Sequence, residues 1–123
     1  MTTTAPSTFD LTRFARATEE RDASTQLSMY AADATVTITD RITQPGSPRV
    51  LHGRDEIRSW IEDVTARDMT HAVQQTVGDG QGAAFTVACR YPDGTNVLCA
   101  TVLALRAGAI ADQTVVQVWD ESN

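Results

Sequence analysis

The sequence predicts an α+β fold, with helices gathered on one face of a curved, mostly antiparallel sheet. Three observations predict it. Helical spacing of apolar residues dominates the chain up to about residue 68, interrupted by one strand pair. Val-, Thr- and Leu-rich segments fill everything after that point. The links between those later segments are too short for parallel crossovers, which need a dozen or more residues.

The elements follow in order. Residues 1–7 (MTTTAPS) carry neither a basic nor an apolar run and read as a disordered tail, leaving a single domain over 8–121. Ser7 or Thr8 caps a first helix running to about Arg21, with Leu11, Phe14, Ala15 and Thr18 at helical spacing. Ala23, Leu27, Tyr30 and Ala31 mark a short second helix, broken from the first near Asp22. Residues 34–40 (ATVTITD) then alternate, with Val36, Ile38 and Asp40 on one face. The turn cluster QPGSP at 44–48 returns the chain into a short strand at Arg49–His52. The third helix, about Arg54 to Asp68, presents Ile57, Trp60, Ile61 and Val64 at i, i+3, i+4 and i+7. Four strands complete the chain: Met69–Val77, Ala83–Tyr91, Asn96–Arg106 and Ala109–Trp119. GDGQG, PDG and AG separate them as turns.

Composition narrows the chemistry. The chain has 123 residues and a net charge of −6, which argues against a nucleic-acid partner. All 10 basic residues are Arg. Without a lysine there is no Schiff base, pyridoxal anchor or P-loop. Two histidines exclude a three-histidine metal site within the chain, and two cysteines without CxxC spacing give no zinc signal. Nothing in the sequence calls for a metal or an organic cofactor. No run reaches the roughly 18 apolar residues of a membrane span, and the expected compartment is cytoplasmic.

Three stretches carry a family resemblance: SMYAADATVTIT at 28–39, LHGRDEIRSW at 51–60, and Gly108 followed by a strand ending Val118–Trp119–Asp120. In this order they resemble the SnoaL-like branch of the nuclear transport factor 2 superfamily, over nearly the whole chain after residue 8. The resemblance implies a cone-shaped, cystatin-like domain whose curved sheet wraps the helices around a pocket, often in a homodimer. It does not imply one function, because isomerases, polyketide cyclases, epoxide hydrolases, dehydratases and non-catalytic binders share the scaffold.

Carried over position by position, the resemblance puts apolar or neutral residues where relatives place proton-handling ones. In the ketosteroid isomerases the oxyanion tyrosine corresponds to Phe14, the aspartate base to Ile38, and the oxyanion aspartate to Val102. The water-activating aspartate of limonene epoxide hydrolases corresponds to Gln117, which orients a water but cannot deprotonate it. The dehydratase pattern of a helix-one acid and a later histidine corresponds to Glu19 and His71.

On chemistry alone, His71 is the foremost acid/base candidate. Parity puts it on the face of Val73 and Val77, and Glu19 is its expected partner. Asp40, continuing the face of Val36 and Ile38, is a second candidate base at a pocket mouth. Gln117 and Trp119 share a face, and the indole supplies an aromatic wall. Phe14, Tyr30, Ile38, Trp60 and Val102 complete the expected lining. For Cys89 and Cys99, flanking the PDG turn, a three-residue loop makes direct neighbours and a two-residue loop opposite faces. A nucleophilic role for either requires His71 within reach.

Two functional readings stay open. One is a cofactor-independent isomerase, cyclase, dehydratase or epoxide hydrolase acting on an apolar, oxygenated small molecule. The other is a non-catalytic small-molecule-binding or dimerisation domain that has lost the family's carboxylates. Thr86, Ala88 and Arg90 share the outer sheet face expected to meet a second copy.

Overall fold

A computed structural model describes residues 8–121; the tail expected at 1–7, and Ser7 as a cap, lie outside the described residues. The first helix, α1 (Leu11–Glu19), is capped by Asp10, whose carboxylate accepts from Arg13 N at 2.9 Å. It therefore starts later than expected from Thr8. Arg21, at φ 56°, turns the chain out of the helix. Asp22 caps α2 (Ala23–Ser28) in the same way, accepting from Thr25 N at 3.1 Å.

The second helix is shorter than its spacing suggested. Tyr30 and Ala31 open β1 (Tyr30–Thr39) instead of closing the helix. The backbone carbonyl of Tyr30 accepts from Arg54 Nε and Nη2 at 3.2 and 2.7 Å, in a segment where the β1 pairing is irregular. Next come β2 (Arg49–His52) and α3 (Gly53–Ala66). Gly53 takes φ +80° at the junction, a conformation few side chains tolerate. Then follow β3 (Thr70–Gly78), β4 (Gly82–Arg90), β5 (Asn96–Arg106) and β6 (Ala109–Trp119).

The six strands form one sheet in the order β2-β1-β6-β5-β4-β3. Every pairing is antiparallel except β1–β6, where the long intervening chain permits parallel alignment. The β5–β6 hairpin turns through Ala107 and Gly108, both at positive φ (51° and 77°), as a tight two-residue turn of matching twist requires.

All three helices lie on one face of this sheet. Phe14 from α1 and Ile57 and Ile61 from α3 are buried against Val36, Ile38, Phe85 and Leu103. Full burial of a side chain such as Ile57 contributes roughly 1.5–3 kcal/mol. On the other face Leu98, Val102, Val116 and Val118 are exposed.

Parity placed most of the inward residues correctly, with two corrections. The expectation that Val77 shares the face of His71 fails, because Gln75 takes φ 53° in a bulge that shifts the register between Gln74 and Val77. Val77 is therefore exposed. Val102 is also outward, since the inward set on β5 is Val97, Thr101 and Leu103. Among the described residues, no helix is long and apolar enough to cross a membrane.

Candidate functional site

Between the helices and the inner sheet face lies a cavity of about 100 Å³. Strand register lays out its sheet wall as rows. His71, Cys89, Val97 and Trp119 form one row across β3, β4, β5 and β6; Val73, Val87, Cys99 and Gln117 form the next. Behind them come Phe85, Thr101 and Val115, with Ile38 beyond Val115 on β1. Phe14 and Thr18 of α1 and Trp60 and Val64 of α3 close the opposite side.

The inner end is buried and neutral. Tyr30, 1% exposed, donates its hydroxyl to Gln113 Oε1 in a short hydrogen bond, and Gln113 is itself 5% exposed. Burial pushes the Tyr30 phenol well above its ordinary range, outweighing the opposite pull of the Gln113 bond. The phenol therefore stays protonated and donating. With its Oε1 occupied, Gln113 keeps its amide N–H groups for another acceptor. Thr101, also buried, adds a hydroxyl to the lining.

The outer end is aromatic and partly exposed. Trp119 stacks on Tyr91 with ring centroids 5.7 Å apart, and the Arg41 guanidinium sits 4.3 Å from the indole centroid. Arg67 donates to the Tyr91 hydroxyl at 3.2 Å and to Asp63 at 2.6 Å, tying the end of α3 to the β4–β5 loop. Trp119 Nε1 donates to Gln117 Oε1 at 3.0 Å. Gln117 thus repeats the arrangement of Gln113, with its acceptor used and its donors spare.

Between the two ends stands a cluster of titratable groups. His71 Nδ1 lies 3.1 Å from Cys89 Sγ. The β4–β5 connection spans 91–95 and pairs Arg90 with Asn96, so Cys89 and Cys99 are neither directly opposed nor on opposite faces. They are diagonal neighbours on the inner face, and both are free. Diagonal strand positions are about 7–8 Å apart, beyond the roughly 4.4–6.8 Å that a disulfide spans between α-carbons. The Cys99 thiol, hydrogen-bonded to Cys89, and then the His71 imidazole hold the Cys89 thiol down, at about 5, against the upward push of burial. The same hydrogen bond, with burial, pushes Cys99 up.

Five of the expected site residues line the cavity along with His71, namely Phe14, Tyr30, Trp60, Gln117 and Trp119, whereas Ile38 is fully buried behind the wall. Three do not belong to it. Glu19 is not the partner of His71; its Oε2 accepts from Val73 N at 3.0 Å and caps the open edge of β3. Asp40 lies just past the end of β1, so strand parity no longer governs it, and its Oδ1 accepts from Ile42 N at 3.0 Å and Thr43 Oγ1 at 3.1 Å in a turn. Val102 faces outward. Sequence reasoning missed Gln113 and Thr101; Gln113 was legible by the parity that found Gln117, whereas placing Val102 inward pointed away from Thr101. Among the described residues no group of three or more His, Cys, Asp or Glu is placed to hold a metal.

A mixed, mostly antiparallel sheet covered on one face by three helices, with the cavity between them, is the cystatin-like, nuclear transport factor 2-like fold. The chain belongs to the SnoaL-like domain family, whose model matches residues 11–113. No curated protein matches its sequence. Among solved structures it is similar to a protein from Kribbella flavida described as a ketosteroid isomerase, at 17% identity over 91% of this chain and 76% of that one, TM-score 0.71. It is also similar to SalBIII, an epoxide hydrolase/cyclase-like enzyme of pyran ring formation in salinomycin, at 20% identity over 88% and 87%, TM-score 0.68. A third similar structure is a computationally designed 17-OHP binder, at 14% identity over 90% and 94%, TM-score 0.64. At such identities the likeness establishes the fold, which isomerases, cyclases and small-molecule binders share.

Proposed function

We propose that this domain binds a small apolar molecule carrying an oxygen, such as a cyclic ketone, in the cavity between sheet and helices. The observation that carries the reading is the pair of glutamines. Gln113 and Gln117 line a mostly apolar cavity, each with its Oε1 engaged and its amide hydrogens spare. Neutral donors of this kind fix the orientation of a carbonyl or hydroxyl oxygen without the desolvation cost of a charge. A volume of about 100 Å³ suits one ring or a short chain, since typical drug-sized pockets run roughly 300–1,000 Å³.

Catalysis by the carboxylate routes of the relatives has no residue to carry it here. Gln117 stands inside the cavity where a relative has an aspartate and Phe14 where another has a tyrosine, and Asp40 and Glu19 stand outside it. His71 is the histidine available for proton transfer at the wall.

Both tryptophans of the chain, Trp60 and Trp119, line the cavity and report on its contents. Cyclohexanone is expected to change their fluorescence saturably, and Gln117→Leu to weaken its binding about three- to tenfold, the worth of one neutral hydrogen bond. A fluorescence unaffected by the ketone, or an affinity indifferent to Gln117→Leu, contradicts the reading.

The outer face supports a second copy of the chain as partner. Leu98, Val102, Val116 and Val118 expose a contiguous apolar patch on the two central strands β5 and β6. Self-association through it is twofold, the usual symmetry for such a surface. Leu98→Asp combined with Val116→Asp is expected to convert a dimer into a folded monomer by light scattering; a wild-type protein already monomeric at high concentration removes the proposal.

A further inference from the structure

The cluster His71–Cys89–Cys99 is not used by the binding reading, yet it stands inside the cavity wall. Three facts set it apart from ordinary buried thiols. Its imidazole and sulfur are 3.1 Å apart, at the distance of an activated nucleophile and its base. Two free cysteines share the inner face as diagonal neighbours. Gln117 is paired with Cys99 on the neighbouring strand, with spare amide donors in the row next to Cys89.

We infer that Cys89 is a nucleophilic site that adds reversibly to an α,β-unsaturated carbonyl compound held in the cavity, with His71 carrying the proton and Cys99 hydrogen-bonding the sulfur. The inference rests on the cavity being a ligand site and names the class of ligand it takes.

The step balances without a co-reactant. Cys89 reacts as its thiolate, its proton already resting on His71, and a sulfur lone pair forms the new C–S bond at the β-carbon. The alkene π pair moves to the enolate, whose oxygen takes the charge and accepts from the Gln117 amide. His71 then returns the proton to the α-carbon, giving a thioether ketone. Nothing is oxidised or reduced and no group leaves. Abstraction of the same α-proton by His71 reverses the addition.

The electrostatics agree with this role. The titratable groups that share the cavity lining with Cys89 are His71 on β3, Cys99 on β5, Tyr30 on β1, Tyr91 in the β4–β5 loop and Arg67 after α3. With its thiol held below the ordinary range, Cys89 stays a thiolate further into the acid than a free cysteine does. A free cysteine, titrating near 8.5, is mostly protonated at pH 6. The low-pKa thiolate is intrinsically the weaker nucleophile, with a Brønsted slope of about 0.4–0.5. Together these make Cys89 react faster than free cysteine at pH 6 and more slowly at pH 9.

The test uses cyclohex-2-enone on the full chain, read by intact and peptide mass spectrometry, with tryptophan fluorescence on saturated cyclohexanone in parallel. The expected result is a single adduct on Cys89, with the rate ratio to free cysteine inverting between pH 6 and pH 9. Cys89→Ser abolishes the adduct while cyclohexanone still binds. His71→Gln slows the reaction at pH 6, and Cys99→Ser keeps the adduct on Cys89. Absence of an adduct, an adduct on Cys99 or elsewhere, or a pH profile matching free cysteine overturns the inference. If cyclohexanone binds in that case, the binding reading stands alone; if it does not, both fall.

Discussion

The two ends of the cavity are built from different kinds of polar group. At the inner end Tyr30 and Gln113 are almost fully buried, neutral and bonded to each other. Along the wall nearer the aromatic rim, His71 is half-buried and in contact with a thiol held below its ordinary range. The difference follows from solvation. A charge at the inner end would have no water to stabilise it, so positioning there falls to amides and a phenol. Proton exchange is confined to the wall, where a ligand and some solvent reach.

Breaking the inner end has the largest effect. Phe14 is 2% exposed and contacts both Tyr30 and Phe85, with ring centroids 6.1 Å apart in each case. Phe14→Ala is expected to cost about 3–5 kcal/mol in urea unfolding, and a loss under about 1 kcal/mol means the ring is not the keystone described. Tyr30→Phe comes next, at about 1–3 kcal/mol, because it strands the Gln113 carbonyl. Adding Gln113→Leu to it removes the stranded group, so the double variant recovers part of that loss in thermal unfolding.

Changes outside the cavity are smaller and sharpen the contrast. Glu19→Gln weakens one exposed bond to the edge of β3, for less than about 1 kcal/mol, and leaves the cyclohexenone reaction rate unchanged. A rate change there revives the Glu19–His71 pair. Asp40→Asn alters only a surface turn and is expected to fall within about 0.5 kcal/mol, with no change in ketone affinity by fluorescence titration.

The fold was legible because periodicity speaks directly to it. Ile57, Trp60, Ile61 and Val64 announced α3, and the PDG and AG turns announced the hairpins. Parity also placed Trp119, Gln117 and His71 inward. It failed where the backbone departs from regularity: at the Gln75 bulge, which exposes Val77, and at Asp40, one residue past the last paired position of β1. Both errors are local events that a period-two count cannot register. The Cys89–Cys99 relation was illegible for a different reason. It depends on the length of the β4–β5 connection, which a PDG motif leaves open and the Arg90–Asn96 pairing fixes. The Glu19–His71 pair came from the resemblance to dehydratases, and in the structure Glu19 takes a backbone N–H on the sheet edge instead.

The account turns on an oxygen-bearing ligand held by spare amide donors inside the cavity. A crystal structure of the protein soaked with cyclohexanone tests this most directly. The prediction is a ring among Phe85, Val87 and Trp119, with its oxygen within about 3 Å of the Gln113 or Gln117 amide nitrogen. A ring found only outside the cavity, or an oxygen turned away from both amides, contradicts it.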